Sequence, residues 1–270
     1  MLQRITPYLQ TKISTRKKRV LKKIPELLNI EILFFLRKDK PACYLEIMDE
    51  IRVCRVGRIG FAQAWTWQEA LRELRRGEQI SDVLLFVEHP PVYTGGRSML
   101  LEHLMDDELE VVPIDRGGSI TFHGPGQLVA YPIVDLRRRG RDVHQYLRDL
   151  EAVLVATLAG YGLVATTRPG LTGAWVGDRK VASIGIHVRH WITTHGLALN
   201  VATDLRHFSA IKPCGLTSEE MTTMNALLGC ALDLAEVESA LLSAYAEVFA
   251  VELSEIERAD LEARIAVVRK

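Results

Sequence analysis

The sequence predicts an α+β protein, a mixed β-sheet core flanked by helices. Three observations carry this. Several stretches alternate at period two or, as at Val83-Leu84-Leu85-Phe86-Val87, run continuously apolar. Others place apolar residues at the spacing of one helical face. The two kinds do not follow one another with the regularity of βαβ units, which argues against a doubly wound sheet. A chain of 270 residues with 48% hydrophobic content can bury a sizeable core.

Ile51-Arg52-Val53-Cys54-Arg55-Val56 alternates and predicts a strand. Residues 60–77 predict a helix with Ala64, Trp67, Ala70, Leu71 and Leu74 on its buried face, ended by Gly77. Val83–Val87 predicts a central strand buried on both sides, emptying into a loop over Glu88–Arg97. Val111–Asp115 predicts a short strand leading into a glycine-rich loop, and Leu128–Leu136 another, in which Pro132 implies an edge or a bulge. Asp142 opens a helix, paired with Gln145 as in a capping box, with a stripe from Val143 to Leu158 and a stop at Gly160 or Gly162. Ala174-Trp175-Val176 and Lys180–Arg189, joined through Gly177-Asp178-Arg179, predict a hairpin. His195–Val201 predicts one more strand, and residues 219–270 a mainly helical end with an amphipathic stretch over Leu234–Val248.

Charge and cysteine usage bound the function. The 34 basic and 34 acidic residues cancel, which leaves no nucleic-acid footprint on the whole molecule. Cysteines at 43, 54, 214 and 230 form no C-x-x-C pair and no zinc-ligand spacing, so neither a metal nor a disulfide framework is expected. No apolar run approaches the roughly 18 residues that span a bilayer. These features point to a cytoplasmic protein with free thiols. Residues 1–40 carry 11 Lys or Arg against three acids. Residues 1–47 are therefore set apart as a basic extension outside the fold, with organellar targeting or a nucleic-acid or membrane-surface arm as the competing readings. Residues 48–270 are read as a single domain whose part from 216 onward is helical.

Chemistry concentrates in three places. Cys214 stands between Pro213 and Gly215, a pattern that suits a sharp, exposed turn, although a free cysteine is usually a small buried hydrophobe. Lys180 heads the strand face shared by Ala182, Ile184, Ile186 and Val188, where partial desolvation would favour an anionic partner such as a thiolate. A lysine at a strand end can equally snorkel. The loop Arg116-Gly117-Gly118 through His123-Gly124-Pro125-Gly126 lets a ligand approach backbone amides, and it is not a phosphate loop, since no G-x-x-x-x-G-K-[ST] occurs. His123 could be a base, an oxyanion donor or a brace for the loop.

Taken together, Glu88-His89-Pro90-Pro91-Val92-Tyr93-Thr94, the glycine loop, Lys180-Val181-Ala182-Ser183-Ile184-Gly185, His195-Gly196-Leu197-Ala198-Leu199-Asn200-Val201 and Pro213-Cys214-Gly215 resemble the lipoyl(octanoyl) transferases of lipoate biosynthesis, over roughly residues 50–250. The resemblance implies the fold shared by biotin ligase and lipoate ligase catalytic domains. It implies an acyl-thioester intermediate on Cys214 with Lys180 as its partner. Substrate-contacting segments fall on Arg116, Gly117, Gly118, Ser119, Ile120, Thr121, Phe122 and His123, on Ser183, Ile184 and Gly185, and on Gly196, Leu197 and Ala198. No metal and no cofactor are implied. The implied donor is octanoyl-acyl carrier protein, the acceptor a lysine of the lipoyl domains of 2-oxoacid dehydrogenase and glycine cleavage complexes, and the enzyme a monomer. Arg137-Arg138-Arg139 and Arg141 are the expected basic dock for an acidic carrier protein. An ATP-dependent lipoate–protein ligase, a cysteine-dependent lipoyl-domain amidotransferase and a non-catalytic acyl-binding scaffold are the alternatives.

Overall fold

The computed structural model describes residues 49–106, 108–212 and 220–268. Cys214, the basic stretch 1–47 and Cys43 lie outside the described residues.

An eight-stranded mixed sheet forms the frame. It comprises β1 (Glu50–Arg58), β2 (Asp82–Glu88), β6 (Gln127–Ile133), β7 (Ala165–Thr166), β8 (Gly173–Val176), β9 (Arg179–Arg189), β10 (Ile192–Asn200) and β11 (Glu252–Glu255). The order is β11-β1-β2-β6-β10-β9-β8-β7. β1 pairs in parallel with β2 and β11, and every other neighbouring pair is antiparallel. A smaller sheet holds β3 (Val92–Gly95) between β4 (Val111–Pro113) and β5 (Ile120–His123).

Period-two alternation sorts the large sheet's side chains onto two faces. Leu84 and Phe86 of β2 and Leu128 and Ala130 of β6 face α2 (Val143–Gly160) and α4 (Leu234–Phe249). Val83, Leu85 and Val87 of β2 and Val129, Tyr131 and Ile133 of β6 face α1 (Phe61–Arg76) and α5 (Arg258–Val268). A short helix, α3 (Met224–Leu228), precedes α4. Among the described residues no helix is long and apolar enough to cross a membrane.

The predicted elements recur with informative differences. α1 runs between Gly60 and Gly77, and Ala64, Trp67, Ala70, Leu71 and Leu74 are all buried. The Asp142 carboxylate accepts from the Gln145 backbone N–H at 2.8 Å, but the Gln145 side chain turns to Asp149, so only half of a capping box forms. The β8–β9 hairpin closes through Gly177 and Asp178. Three stretches read as loop or helix are strands. β3 lies within Glu88–Arg97, β5 within the glycine loop, and β11 within the helical end. β11 exists because Glu50–Val53 pair with Glu252–Glu255, a partnership across the whole chain that local pattern does not report.

Pro132 lies in neither an edge strand nor a bulged one. It sits in β6 opposite Leu84, between β2 and β10. The ladder with β10 ends at Leu197–Ala130, and His195 just beyond takes a left-handed φ of 57°. The irregularity that accommodates the missing N–H is therefore on the neighbouring strand. The His195 N–H, turned out of the ladder, donates to Gln68 Oε1 of α1 at 2.6 Å.

Candidate active site

A narrow cavity opens on the α1 face of the sheet, beneath the glycine loop. Arg116, Gly117, Gly118, Thr121 and His123 line it, with Ser183, Ile184 and Gly185 of β9 and Gly196, Leu197 and Ala198 of β10. Phe61, Ile114, Val129, Tyr131 and His195 complete the wall. The structure thus gathers three segments separated by up to 82 positions into one concavity.

Ser119, Ile120 and Phe122 are not part of that wall. β5 alternates, so Thr121 and His123 turn inward while Ile120 and Phe122 pack in a separate apolar cluster with Tyr93, Phe208 and Met221. The Ser119 hydroxyl meets His103 Nδ1 at 2.6 Å.

Arg116 shapes the loop. Its guanidinium donates to the carbonyls of Ser119 (2.8 Å), Gly117 (3.0 Å) and Thr94 (2.8 Å), and to Thr94 Oγ1 (3.1 Å). Glycines at 96 and 185 make room for this. A Cβ on Gly185 would lie 3.0 Å from Arg116 Cδ, and one on Gly96 would meet the Gly118 carbonyl and, at 2.7 Å, the guanidinium itself. The Gly117 N–H then donates to Ile186 O at 2.9 Å and ties the loop to β9.

His123, His195 and Tyr131 of the wall, with His89 behind them, form a polar cluster. His89 bonds Ile59 O through Nδ1 and Tyr131 Oη through Nε2, each at 2.8 Å. The His123 ring stacks on Phe61 with 7° between planes. Burial holds the His123 imidazole down to about 3, and also lowers His89 and His195. Asp115 bridges two strands, accepting from His195 Nε2 at 2.8 Å and from His187 Nδ1. These bonds, that to His195 first, lower its carboxyl to about 2.

Lys180 is 2% exposed, with Nζ 5.6 Å from the centroid of the Trp175 ring. Gly173 leaves space for its stem, since a Cβ there would stand 3.0 Å from Lys180 Cε. Lys180 does not line the cavity. Ala182, Ile184 and Ile186 share the α2 face, as their alternation predicts, and of these only Ile184 also reaches the cavity wall. The lysine's backbone pairs with Met221, and its carbonyl accepts from the Thr222 N–H at 2.9 Å.

Of the other described cysteines, Cys54 is buried in β1, and burial raises its thiol to about 11, which leaves essentially no thiolate at neutral pH. Cys230 is exposed beyond α3 and away from the cavity. The arginines after β6 do not reach the cavity either. β6 carries them to the end opposite the glycine loop, where Arg137 chelates Asp135, Arg139 lies 5.6 Å from the Phe249 ring centroid and Arg141 6.0 Å from that of Trp191.

Sequence reasoning gave no role to Phe61, Tyr131, Gln127 or Asn200. Phe61 falls in the predicted helix and Tyr131 in the predicted strand. The two amides meet each other only through the pairing of β6 with β10.

Residues 61–246 match the lipoyl protein ligase A/B catalytic domain. The chain is 46% identical to an octanoyltransferase of Geobacter metallireducens over 182 residues, 67% of this chain and 85% of that protein. It is 48% identical to an octanoyltransferase of Solibacter usitatus over 206 residues, 74% of this chain and 93% of that one. In fold it is similar to a crystal structure of lipoate-protein ligase A bound with ATP, with a TM-score of 0.65 at 18% identity, over 82% of this chain and 95% of that one.

Proposed function

Because the chain belongs to the octanoyltransferase family of acyltransferases, with the lipoyl protein ligase A/B catalytic domain over residues 61–246, we propose that it moves an octanoyl group from acyl carrier protein to a lysine of lipoyl domains through a thioester on Cys214. The acceptors are the lipoyl domains of 2-oxoacid dehydrogenase and glycine cleavage complexes, and the reaction takes place in the cytoplasm.

One observation carries the roles of Cys214 and Lys180. Lys212, two positions before Cys214, donates its N–H to His103 O, and Met221, seven positions after it, pairs with Lys180. This pairing sets the described chain just after Cys214 alongside the buried lysine's strand. Lys180 supplies the cationic group that holds a thiolate. Arg116, Gly117, Gly118, Thr121, His123, Ser183, Ile184, Gly185, Gly196, Leu197 and Ala198 bind the acyl substrate as the cavity wall, and Ser119, Ile120 and Phe122 support the loop from behind.

The reaction needs no nucleotide. The Cys214 thiolate attacks the donor thioester and the carrier's thiol leaves, a nearly isoenergetic exchange governed by positioning and by stabilisation of the oxyanion. An amine then converts the acyl-enzyme thioester to an amide, which is downhill. Lys180 stabilises the thiolate in the first step and relays the amine's proton in the second.

Intact-mass analysis after mixing with octanoyl carrier protein, without ATP, tests this. One octanoyl adduct is expected, mapped to Cys214 and lost in Cys214→Ser. An adduct on Cys54 or Cys230, no adduct, or a requirement for ATP would overturn the assignment. In the same protein Lys180→Ala should slow iodoacetamide alkylation at neutral pH, as the Cys214 thiol returns towards ~8.5.

A further inference from the structure

The acyl cavity ends on a buried relay of side chains. Gln127 and Asn200 face each other in register across β6 and β10, and each is 2% exposed. Gln127 Nε2 lies 3.2 Å from Phe122 O and 2.9 Å from Asn200 Oδ1, and its Oε1 lies 2.7 Å from His123 Nδ1. Asn200 Nδ2 lies 3.2 Å from Thr222 O. Gly126 sets this register, because its carbonyl accepts from the N–H groups of both Val201 and Ala202.

The two backbone carbonyls at the ends decide every orientation between them. A carbonyl oxygen can only accept, so Phe122 O takes the Gln127 amide nitrogen and Thr222 O takes that of Asn200. Asn200 then presents its oxygen to Gln127, and Gln127 presents its oxygen to His123. That last contact is a hydrogen bond only if His123 Nδ1 carries the hydrogen. The ring is therefore neutral and bare at Nε2. Nε2 has no hydrogen-bond partner among the described residues, on a side chain that lines the cavity. Its pKa near 3, lowered by burial, keeps it bare at neutral pH.

The neighbouring hydrogens are also spent inward. His89 Nδ1 donates to Ile59 O, so its Nε2 must accept from the Tyr131 hydroxyl. At this point of the wall His123 Nε2 and the Tyr131 oxygen remain as acceptors. An octanoyl thioester has no N–H or O–H at its acyl end to answer them. The amine that takes the acyl group has.

We propose that Gln127 and Asn200 are positioning residues that lock His123 with its hydrogen on Nδ1, so that Nε2 accepts a hydrogen bond from the amine that enters the cavity to take the acyl group. The inference rests on the acyl-enzyme reading above and concerns only its second half. In that half the C–N bond forms as the C–S bond breaks, and the proton surrendered by the amine ends on the released sulfur. His123 takes up no proton and only accepts the amine's hydrogen bond. The first half, attack by a thiolate and departure of a thiol, presents no N–H to His123.

Two measurements test this. Imidazole ¹⁵N NMR of the unmodified chain at neutral pH should show His123 protonated at Nδ1 and bare at Nε2. A hydrogen on Nε2, or a cationic ring, would overturn the proposal whether or not any variant folds. Gln127→Met, which keeps the length and removes the amide, should slow transfer from the isolated acyl-enzyme to a lipoyl-domain amine by about tenfold, while acyl-enzyme formation stays within about twofold of the wild-type rate. Equal losses in both halves would mark Gln127 as structural only, and no loss in either would exclude the relay. If the wild-type chain formed no acyl-enzyme at all, the underlying mechanism would fail, whereas the NMR result would still decide the tautomer.

Discussion

Lowering the pH from 7 to 5 should destabilise this protein by about 2 kcal/mol through His123 alone. Burial holds its imidazole at about 3, against 6.5 for the free side chain. An unfolded chain takes up a proton at this position below 6.5, while the native one stays neutral until about 3. The unfolded state therefore binds more protons throughout that window, and stability falls as the pH falls. At pH 5 the unfolded side chain has gained ~1.5 decades of proton binding, worth about 2 kcal/mol. The native value hardly enters, because pH 5 already lies well above it. His89 and His195, also lowered by burial, add with the same sign. Asp115 does not contribute here. Its carboxyl is depressed from 3.8 to about 2, so the stability it confers is lost only below the pH of this comparison. Urea unfolding followed by the fluorescence of tryptophans such as the fully buried Trp175 gives the two free energies. His123→Phe, which keeps a ring against Phe61, should shrink the difference by about 2 kcal/mol. A wild-type difference below about 0.5 kcal/mol would refute the claim that these histidines are held neutral.

Two further outcomes follow from close approaches in the sheet and loop. A Cβ on Gly196 would stand 2.6 Å from Pro132 Cδ and closer still to the Ala130 carbonyl, so Gly196→Ala should lower the melting temperature by roughly 6 °C or more. Gly160→Ala, with nothing within 4 Å of the added methyl, is the control and should leave it unchanged or slightly raised. Equal effects at the two sites would sink the packing argument. Arg116→Lys replaces a planar fork that serves three carbonyls and a hydroxyl with a point charge. It should cost about 2 kcal/mol in urea unfolding, and an unchanged midpoint would show that the loop is held by other contacts.

Much of the frame was legible where local chemistry and final structure agree. The glycines bounding α1, the continuous apolar run of β2, the Asp142 cap and the two-residue turn before β9 all act within a few positions of themselves. The hidden parts depend on partners far away. β3 and β5 are four-residue strands set among glycines and prolines, made strands by pairing with each other and, for β3, with β4. β11 reads Glu-Leu-Ser-Glu, without an apolar side, and its charges suit the edge it occupies. Within the site, the glycine loop and the β9 and β10 segments announced themselves through small residues and motif order. Asp115 meets histidines 72 and 80 positions on, and Gln127 meets Asn200 73 positions on. No periodicity encodes such encounters.

The shared catalytic segment and the folded sheet do not have the same borders. The match to the family's catalytic domain covers residues 61–246, yet β1 lies before it, and β11 and α5 lie after it. Leu261 and Ile265 of α5 pack in the same cluster as Trp67 of α1, and Arg258 sits 5.4 Å from the Trp67 ring centroid. A fragment trimmed to the matching segment would strip β1 from β2 and turn a strand buried on both faces into a bare apolar edge, the kind that recruits another chain. For expression, crystallisation or domain grafting, the cut points have to follow the sheet rather than the borders of the catalytic-domain match.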